Sequence, residues 1–357
     1  MILRAYLVAD PEVRAERIVA GLPALLRQIL SLQAAGVADV VLVGVVSHSF
    51  HADQRVRIRV RAAAELPEAP DERALLAVAG AVWTPAYIRA FLRAPVPADS
   101  RFVPVPADPR VILPRTQNDV NAATTMLMQS LYKPTDGIVS RHVNRRISLA
   151  ISRRLLPLDV TPNQMTATAT VFGLAGVMAV FRAGYLPMLT GALLLQVQSL
   201  LDGCDGEIAR IKYLHSRAGE WLDQVADDVL NIAFLAAAGA ALGRAGHAFA
   251  WRIAVASIGC QIVYMAALYA GLIFKSGGRG SVATLRWWVD KPGPSSAPSH
   301  IVGDLARRDF ICFFYFVCAL FDAIGIALLW HAMVTIVSAA VTTVGWIAFG
   351  GPDSVSP

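Results

Sequence analysis

Long apolar runs fill the second half of the chain. From about Ala167 onward they approach the ~20 residues that a helix needs to cross the ~30 Å hydrocarbon core of a bilayer. The pattern predicts six transmembrane helices, near residues 167–185, 187–201, 225–242, 251–274, 310–330 and 332–349. The second run is short, so it is either a span beside a tilted neighbour or the start of a helix that continues into the polar segment after it.

The first 115 residues have the mixed pattern of a soluble α/β domain. Two apolar, strand-like runs flank a stretch with helical spacing, and the order strand, helix, strand is typical of a parallel sheet covered by helices. The predicted strands are residues 2–8, 37–46, 55–61 and 75–83, and the predicted helices are residues 11–35 and 85–93.

Residues 116–160 connect these two parts. Residues 116–135 have the pattern of a connecting helix, and residues 136–154 are amphipathic and basic, which suits a helix lying on an anionic leaflet. Thr161 and Pro162 then open the first span, since proline is tolerated at a helix start. The sequence therefore predicts three parts: an α/β domain at 1–115, juxtamembrane helices at 116–160 and a membrane domain at 161–350.

Composition and charge placement orient this membrane domain. The chain is 55% hydrophobic, with a mean hydropathy of +0.52 and a formal net charge of +6. Lys and Arg are concentrated between spans two and three and in the loop 275–309, and such loops face the cytoplasm. We expect a multi-pass protein of a bacterial-type inner membrane, with its N-terminal domain on the cytoplasmic side. The net charge needs no nucleic-acid partner to explain it.

Four aspartates stand between the second and third predicted spans, where charge beside a bilayer is costly and commonly functional. Asp202 and Asp205 are three residues apart, and Asp223 and Asp227 are four apart, so each pair projects from one face of a helix. Antiparallel helices would bring the four carboxylates into a small volume that needs cations. Oxygen ligands favour Mg²⁺ or Mn²⁺, and two such ions suit displacement at phosphorus. Arg210 is a candidate phosphate ligand.

The same segment resembles a known signature. Its pattern, Asp-x2-Asp-Gly-x2-Ala-Arg-x8-Gly-x3-Asp-x3-Asp, matches every position of the signature of CDP-alcohol phosphotransferases (phosphatidyltransferases). The matching residues are Asp202, Asp205, Gly206, Ala209, Arg210, Gly219, Asp223 and Asp227. The resemblance implies a six-helix membrane enzyme that transfers a substituted phosphate group from a CDP-alcohol to an acceptor hydroxyl and releases CMP.

The resemblance also implies roles for individual residues. Asp202, Asp205 and Asp223 would chiefly bind metal, and Asp227 would act as general base toward the acceptor while also touching metal. The residues implied to shape the nucleotide and pyrophosphate site are Gly206, Ala209, Arg210, Gly219, Asn163 and Thr166. Asn163 and Thr166 also have a purely structural interpretation as helix-start residues. Members of the family commonly form homodimers, although no residue pattern in this chain marks a dimer face.

The residues that precede and begin the first span make the resemblance more specific. Residues 131–148 and 158–170 resemble members fused to an N-terminal sugar-type nucleotidyltransferase, including bifunctional enzymes that make CDP-inositol and then di-inositol phosphate. Active nucleotidyltransferases of this Rossmann-like type have a glycine-rich phosphate loop, but residues 7–23 contain no glycine cluster. A metal-binding aspartate is also missing before residues 84–93. The N-terminal domain is therefore predicted to be a catalytically degenerate nucleotidyltransferase.

The leading hypothesis is a CDP-alcohol phosphotransferase whose product is a phospholipid or a soluble inositol-phosphate diester. Its partners would be a CDP-alcohol, an alcohol acceptor and the lipid bilayer. Two alternatives stay open. A non-catalytic membrane scaffold would suit the eroded N-terminal domain. A cation transporter would also use acids within a membrane, but it predicts acids spread along several spans rather than clustered at one hairpin.

Overall fold

The computed structural model describes residues 4–45, 50, 53–95, 101–132, 136–276, 285–286 and 305–354. By contacts, the chain divides into two compact units. The front unit comprises Met1–Pro134, Leu149–Val160 and Glu207–Leu214, and the helical unit comprises Thr135–Ser148, Thr161–Gly206 and His215–Pro357. Most of the predicted basic loop 275–309 lies outside the described residues.

A five-stranded parallel sheet forms the centre of the front unit. The strands of this unit are β1 (Arg4–Val8), β2 (Ile18–Val19), β3 (Leu22–Pro23), β4 (Asp39–Val43), β5 (Arg59–Ala63), β6 (Ala74–Val78) and β7 (Phe102–Pro104). The sheet has the order β5-β4-β1-β6-β7, and every neighbouring pair in it is parallel. The predicted α/β parallel-sheet domain is therefore confirmed.

Three helices accompany this sheet, namely α1 (Ala24–Ala34), α2 (Pro85–Arg93) and α3 (Gln117–Gln129). The prediction that helical structure begins near residue 11 is wrong, because β2 and β3 form a hairpin there. Ala20 and Gly21 connect the two strands with positive φ angles of 47° and 81°, which a helix does not accommodate. Helix α1 begins only after Pro23, and its Leu25 and Ile29 are fully buried in the core.

The helical unit is built mainly from long helices. A π-helical turn, Ser140–Asn144, leads into α4 (Arg145–Leu155). The helices that follow are α5 (Pro162–Phe181), α6 (Tyr185–Ile211), α7 (Arg217–Arg244), α8 (Ala248–Ser276), α9 (Arg308–Leu320) and α10 (Ile324–Phe349). The short strands β8 (Leu285–Arg286) and β9 (Asp353–Ser354) pair with each other.

Within the described residues, four helices are long and apolar enough to cross a membrane. They are α5, α7, the Ala248–Lys275 part of α8, and α10. Helix α9 has 13 residues, too few for a bilayer, and α6 has 27 residues but continues into the polar segment, as one of the two alternatives for the second run expected. Of the six predicted spans, the described residues thus support four by length and hydropathy.

The break between the last two helices lies earlier than predicted. Its position was expected near residue 331, between runs 310–330 and 332–349, whereas α9 ends at Leu320 and α10 begins at Ile324. Asp322 has a φ of 52°, and the backbone N–H of Ala323 donates to the carbonyl of Cys318. This left-handed turn closes α9, and hydropathy does not detect it because the flanking residues are apolar.

Helix α6, which carries Asp202 and Asp205, packs closely against α5. A Cβ on Gly191 of α6 would lie 2.6 Å from the carbonyl oxygen of Gly176 on α5. Small residues of this kind let membrane helices approach closely. The core of this unit is completed by Phe234, Tyr315 and Leu328, all of which are fully buried.

Candidate active site

Two consecutive helices present the four aspartates. Asp202 and Asp205 lie on α6, and Asp223 and Asp227 lie on α7. Helix α7 begins after Ser216, whose hydroxyl oxygen accepts a hydrogen bond from the N–H of Gly219 at 3.0 Å. This cap sets where α7 starts, and therefore the height of Asp223 one turn beyond Gly219.

Three of the four carboxylates converge. Asp202, Asp223 and Asp227 each offer a carboxylate oxygen within 4.8 Å of the other two. Asp205 lies beside this group, and its carboxyl group interacts with that of Asp223. The structure therefore brings together the residues that the sequence pattern selected as metal ligands.

Thr166 holds Asp205 in place. Its hydroxyl donates to Asp205 Oδ2 at 2.5 Å, and both residues are buried. Thr166 lies one turn into α5, whose start at Thr161 is fixed by a reciprocal capping box with Gln164. The predicted role of Thr166 at the nucleotide site remains a prediction; the contact that the structure shows is with a carboxylate.

Arg308 is a site residue that the sequence pattern missed. Its guanidinium donates to Asp227, to Asp202 Oδ2 at 3.3 Å and to Gln198 Oε1 at 2.7 Å. The amide of Gln198 in turn donates to Asp227 Oδ1 at 3.2 Å. Arg308 is 81 residues away from Asp227 in the chain. Its place at the end of the basic loop 275–309, just before a predicted span, is the one sequence signal that it lies near the polar end of the helices.

Two buried polar atoms at this site have no hydrogen-bond partner among the described residues. They are Asp223 Oδ1, an acceptor, and Arg308 Nε, a donor. Four carboxylates around one guanidinium leave a net negative charge, and orphaned buried polar atoms are costly. A divalent cation on the carboxylates and an anionic group on Arg308 would satisfy both, so the donor set fits Mg²⁺ or Mn²⁺.

The remaining predicted residues occupy different positions. Gly219 is close to two polar atoms, because a Cβ there would lie 2.8 Å from Ser216 Oγ and 3.1 Å from Asn163 Oδ1. Asn163 itself is exposed. Gly206 follows Asp205 on α6 and is half-buried. Ala209 is buried and Arg210 is half-buried near the end of the same helix, and the roles of both stay predictions.

Asp228 lies outside this carboxylate group. It accepts hydrogen bonds from the hydroxyl of Tyr269 on α8 and from Gln224 Nε2. The ring of Trp221 lies 5.4 Å from that of Tyr269, centroid to centroid. Asp228 therefore connects α7 to α8, while its neighbour Asp227 faces Arg308.

In the front unit, residues after β1 pack against the edge of the sheet at which parallel sheets bind ligands. Such ligands lie beyond the carboxyl ends of the strands, where the strand order reverses, here between β1 and β6. A Cβ on Gly80 would lie 3.1 Å from Ala15 Cα, and Val13 is also in contact. The Gln28 side chain spans the same place, donating to Val78 O and accepting from Gly80 N.

Comparison with known proteins decides the family. The family defined as CDP-alcohol phosphatidyltransferase matches residues 159–344, which is more than half of the chain. The chain belongs to the CDP-alcohol phosphatidyltransferase family. The matched range contains α5, α6, α7, α8 and α9, and hence all four aspartates, Thr166 and Arg308.

Curated relatives of this CDP-alcohol phosphatidyltransferase family member include enzymes named as bifunctional. A bifunctional IPC transferase and DIPP synthase of Aquifex aeolicus is 34% identical over 44% of this chain and 36% of its own length. An enzyme of the same name from Thermococcus kodakarensis is 39% identical over 34% of this chain and 27% of its own. The matches thus span only about a third of these relatives or less.

Two further proteins also match, one a curated relative with a different name and the other a protein of known structure. A CDP-diacylglycerol–serine O-phosphatidyltransferase of Mycobacterium leprae is 37% identical over 22% of this chain and 25% of its own length. A crystal structure of Mycobacterium tuberculosis phosphatidylinositol phosphate synthase with CDP-DAG bound is 18% identical. Its TM-score is 0.39, and the match covers 59% of this chain and 100% of that one.

Proposed function

We propose that the protein is a membrane-embedded, Mg²⁺-dependent CDP-alcohol phosphotransferase. The observation that supports this most strongly is the convergence of Asp202, Asp223 and Asp227 within 4.8 Å, with Asp205 held beside them, in a chain that belongs to the CDP-alcohol phosphatidyltransferase family. We further propose that two Mg²⁺ or Mn²⁺ ions bind these carboxylates, and that Mg²⁺ supplies charge stabilisation at the pyrophosphate.

In the proposed reaction, the oxygen of the acceptor hydroxyl attacks the phosphorus that bears the alcohol. The bond from this phosphorus to the oxygen of CMP breaks, CMP leaves with the bonding electrons, and the proton of the hydroxyl passes to the Asp227 carboxylate. Gln198 and Arg308 hold Asp227 from two directions and thereby orient it. Arg308 is proposed to bind a phosphate oxygen of the substrate through its guanidinium.

The remaining features of the proposal concern the membrane and the front unit. We propose that six helices cross or enter the bilayer, α6 and α9 joining the four long apolar ones, with the site on the cytoplasmic side. Functionally, residues 1–115 form a degenerate nucleotidyltransferase-like domain, 116–160 the connecting helices and 161–350 the transferase. The close packing of Val13 and Ala15 against Gly80, where a glycine-rich phosphate loop would need space, supports the degenerate assignment.

A CMP-release assay tests this proposal. Purified protein is incubated with Mg²⁺ and either CDP-diacylglycerol or CDP-inositol, with a panel of alcohol acceptors, and CMP is measured. We expect CMP release that depends on one CDP-alcohol and one acceptor class. Absence of acceptor-dependent CMP with both substrates would contradict the proposal, and the productive arm distinguishes phospholipid from inositol-phosphate diester synthesis.

Substitution of Asp227, the proposed general base, tests its role with the same assay. Asp227→Asn keeps the size of the side chain but removes its basicity, so we expect a loss of about 100-fold or more in kcat. Asp228→Asn is the matched control, because it changes the adjacent carboxylate on the same helix, which contacts Tyr269. Equal activity of Asp227→Asn and the unsubstituted protein would remove Asp227 as the base.

A further inference from the structure

The end of the aspartate-bearing helix α6 is built into the core of the front unit. Ile211, its last residue, is 4% exposed and packs in one cluster with Val19, Ala24 and Leu127. Tyr213, just beyond the helix, packs against the main core of the same unit and has a φ of 55°. The segment 207–214 is therefore a structural part of the front unit.

A buried arginine binds the final carbonyl of this helix. Arg27, on α1, is 1% exposed, and its guanidinium donates to Ile211 O at 2.8 Å. It also donates to Val19 O and Ala20 O, both at 2.9 Å, in the β2–β3 hairpin. Arg55 donates to the next carbonyl, Lys212 O, at 2.7 Å. Carbonyls at a helix C-terminus lack partners within the helix and carry partial negative charge, so cationic donors suit them.

No carboxylate hydrogen-bonds to Arg27 among the described residues. Burial lowers the pKa of this guanidinium to about 10, so it remains charged at neutral pH. An apolar side chain would fill the same space without the desolvation cost of a charge. Unlike an apolar side chain, the guanidinium makes directional hydrogen bonds. These bonds fix the position of the β2–β3 hairpin relative to the end of α6 within the front unit.

The turn of the β2–β3 hairpin also packs closely, against Leu156 and Lys212. A Cβ on Gly21 would lie 2.2 Å from the carbonyl oxygen of Leu156 and 3.2 Å from Lys212 Cε. Lys212 in turn donates through its ammonium to the carbonyls of Leu158 and Val160. The turn therefore packs against both segments, 149–160 and 207–214, that join the front unit from later in the chain.

We propose that Arg27 and the turn Ala20–Gly21, together named the helix clamp, position α6 for catalysis. Asp205 precedes Ile211 by six residues, less than two helical turns or about 9 Å along the axis. A displacement of the helix end is transmitted along this rigid segment to Asp205 and Asp202, and misplacement by about 1 Å can cost 100-fold in rate. The helix clamp thus gives the front unit a role in the reaction that requires no nucleotide chemistry. This inference rests on the proposed transferase function.

A pair of glycine substitutions tests the helix clamp. Gly21→Ala places a methyl group against Leu156 O, whereas Gly36→Ala is the matched control, since Gly36 has a φ of 95° but nothing within 4 Å of its Cβ position. Both substitutions impose a similar backbone penalty. We expect Gly21→Ala alone to weaken Mn²⁺ binding, measured by electron paramagnetic resonance, and to lower kcat about tenfold, with KM for the CDP-alcohol changed less than about twofold.

Arg27→Met and Arg27→Lys provide the second measurement. Methionine removes every donor, and lysine restores the charge and part of the hydrogen bonding, so we expect Mn²⁺ affinity and kcat to fall in the first and partly recover in the second. If Gly21→Ala does not fold, this pair decides the question. Unchanged Mn²⁺ affinity and kcat, with only a lower unfolding temperature, would overturn the proposal and leave the clamp a purely stabilising feature.

The same measurements separate this inference from the proposed function. If the unsubstituted protein binds Mn²⁺ but releases no CMP from any CDP-alcohol, the proposed reaction fails. The comparison of Mn²⁺ affinity between Gly21→Ala and Gly36→Ala would still show whether the helix clamp positions the carboxylates.

Discussion

At the scale of single residues, Arg308 is the group whose substitution is most informative. Its guanidinium contacts Asp202, Asp227 and Gln198, and its Nε has no partner among the described residues. We expect Arg308→Gln to lower kcat/KM by about 10- to 100-fold, since hydrogen bonds to charged groups contribute about 1.5–3 kcal/mol each. Arg308→Lys should lose less, because it keeps the charge but not the fork.

The adjacent arginine provides the control for this prediction. Arg307 is exposed, and Arg307→Gln removes the same charge one residue away. CMP release at varied CDP-alcohol concentration measures all three variants. Similar losses in Arg307→Gln and Arg308→Gln would show a general charge effect at the start of α9 and contradict a specific role for Arg308.

Residue spacing revealed some parts of the site and not others. The i, i+3 and i, i+4 spacings of the aspartates were sufficient to predict that they share helix faces, and the structure brings their carboxylates together. Arg308 and Gln198 were not predicted as site residues. Their contacts depend on how α6, α7 and α9 pack together, and no short sequence pattern encodes that packing. Thr166 was selected as a nucleotide-site residue, whereas the contact seen is with Asp205.

At the scale of elements, the first turn of α7 sets the position of two ligands. Gly219→Ala would bring a methyl group within 2.8 Å of Ser216 Oγ and 3.1 Å of Asn163 Oδ1. The capping hydroxyl must then move, which costs about 1 kcal/mol of helix stability and displaces the turn before Asp223. We expect kcat to fall at least about tenfold.

Gly243, near the other end of α7, is the control for this effect. A Cβ there would meet only Trp251 Cβ at an ordinary 3.6 Å. Alanine is favoured over glycine within a helix by about 1 kcal/mol, so Gly243→Ala should hold or raise the unfolding temperature with activity within about twofold. Equal activities in the two variants would show that the start of α7 tolerates displacement.

Element boundaries were the least predictable part of the fold. Hydropathy and periodicity located the sheet and the long helices, because these have strong, regular patterns. They failed at residue 11, where a hairpin precedes α1, and near residue 331, where α9 has already ended. In both places the deciding feature is a positive φ at one or two residues, Ala20 and Gly21 or Asp322, which carries no hydrophobic signal.

At the scale of the whole molecule, metal binding should be visible as stability. A ligand that binds only the folded state stabilises it by about 2.7 kcal/mol at 100 times its dissociation constant. We expect Mg²⁺ to raise the unfolding temperature of the purified protein, and a chelator to reverse the shift. Asp223→Asn should abolish it, because Asp223 belongs to the carboxylate cluster.

Asp228→Asn should retain this Mg²⁺-dependent shift, since Asp228 bonds to Tyr269 outside the cluster. Measurements at constant ionic strength exclude a general salt effect. A shift of equal size in Asp223→Asn would mean that Mg²⁺ acts elsewhere on the protein.

The division of the chain into a front and a helical part was visible in composition alone. The assignment of segments 149–160 and 207–214 to the front unit was not, because it depends on contacts between residues far apart in sequence, such as Arg27 and Ile211, 184 positions apart. Local patterns report where a helix is, but not which core receives its end.

The inclusion of residues 207–214 in the front unit has a consequence for biosynthesis. The ribosome makes the five-stranded sheet before α5 and α6, but Ile211 and Tyr213, which also pack in the front unit, are translated only after α5 and most of α6. We therefore expect a nascent chain that ends before residue 207 to have a front unit without the packing of Ile211 and Tyr213.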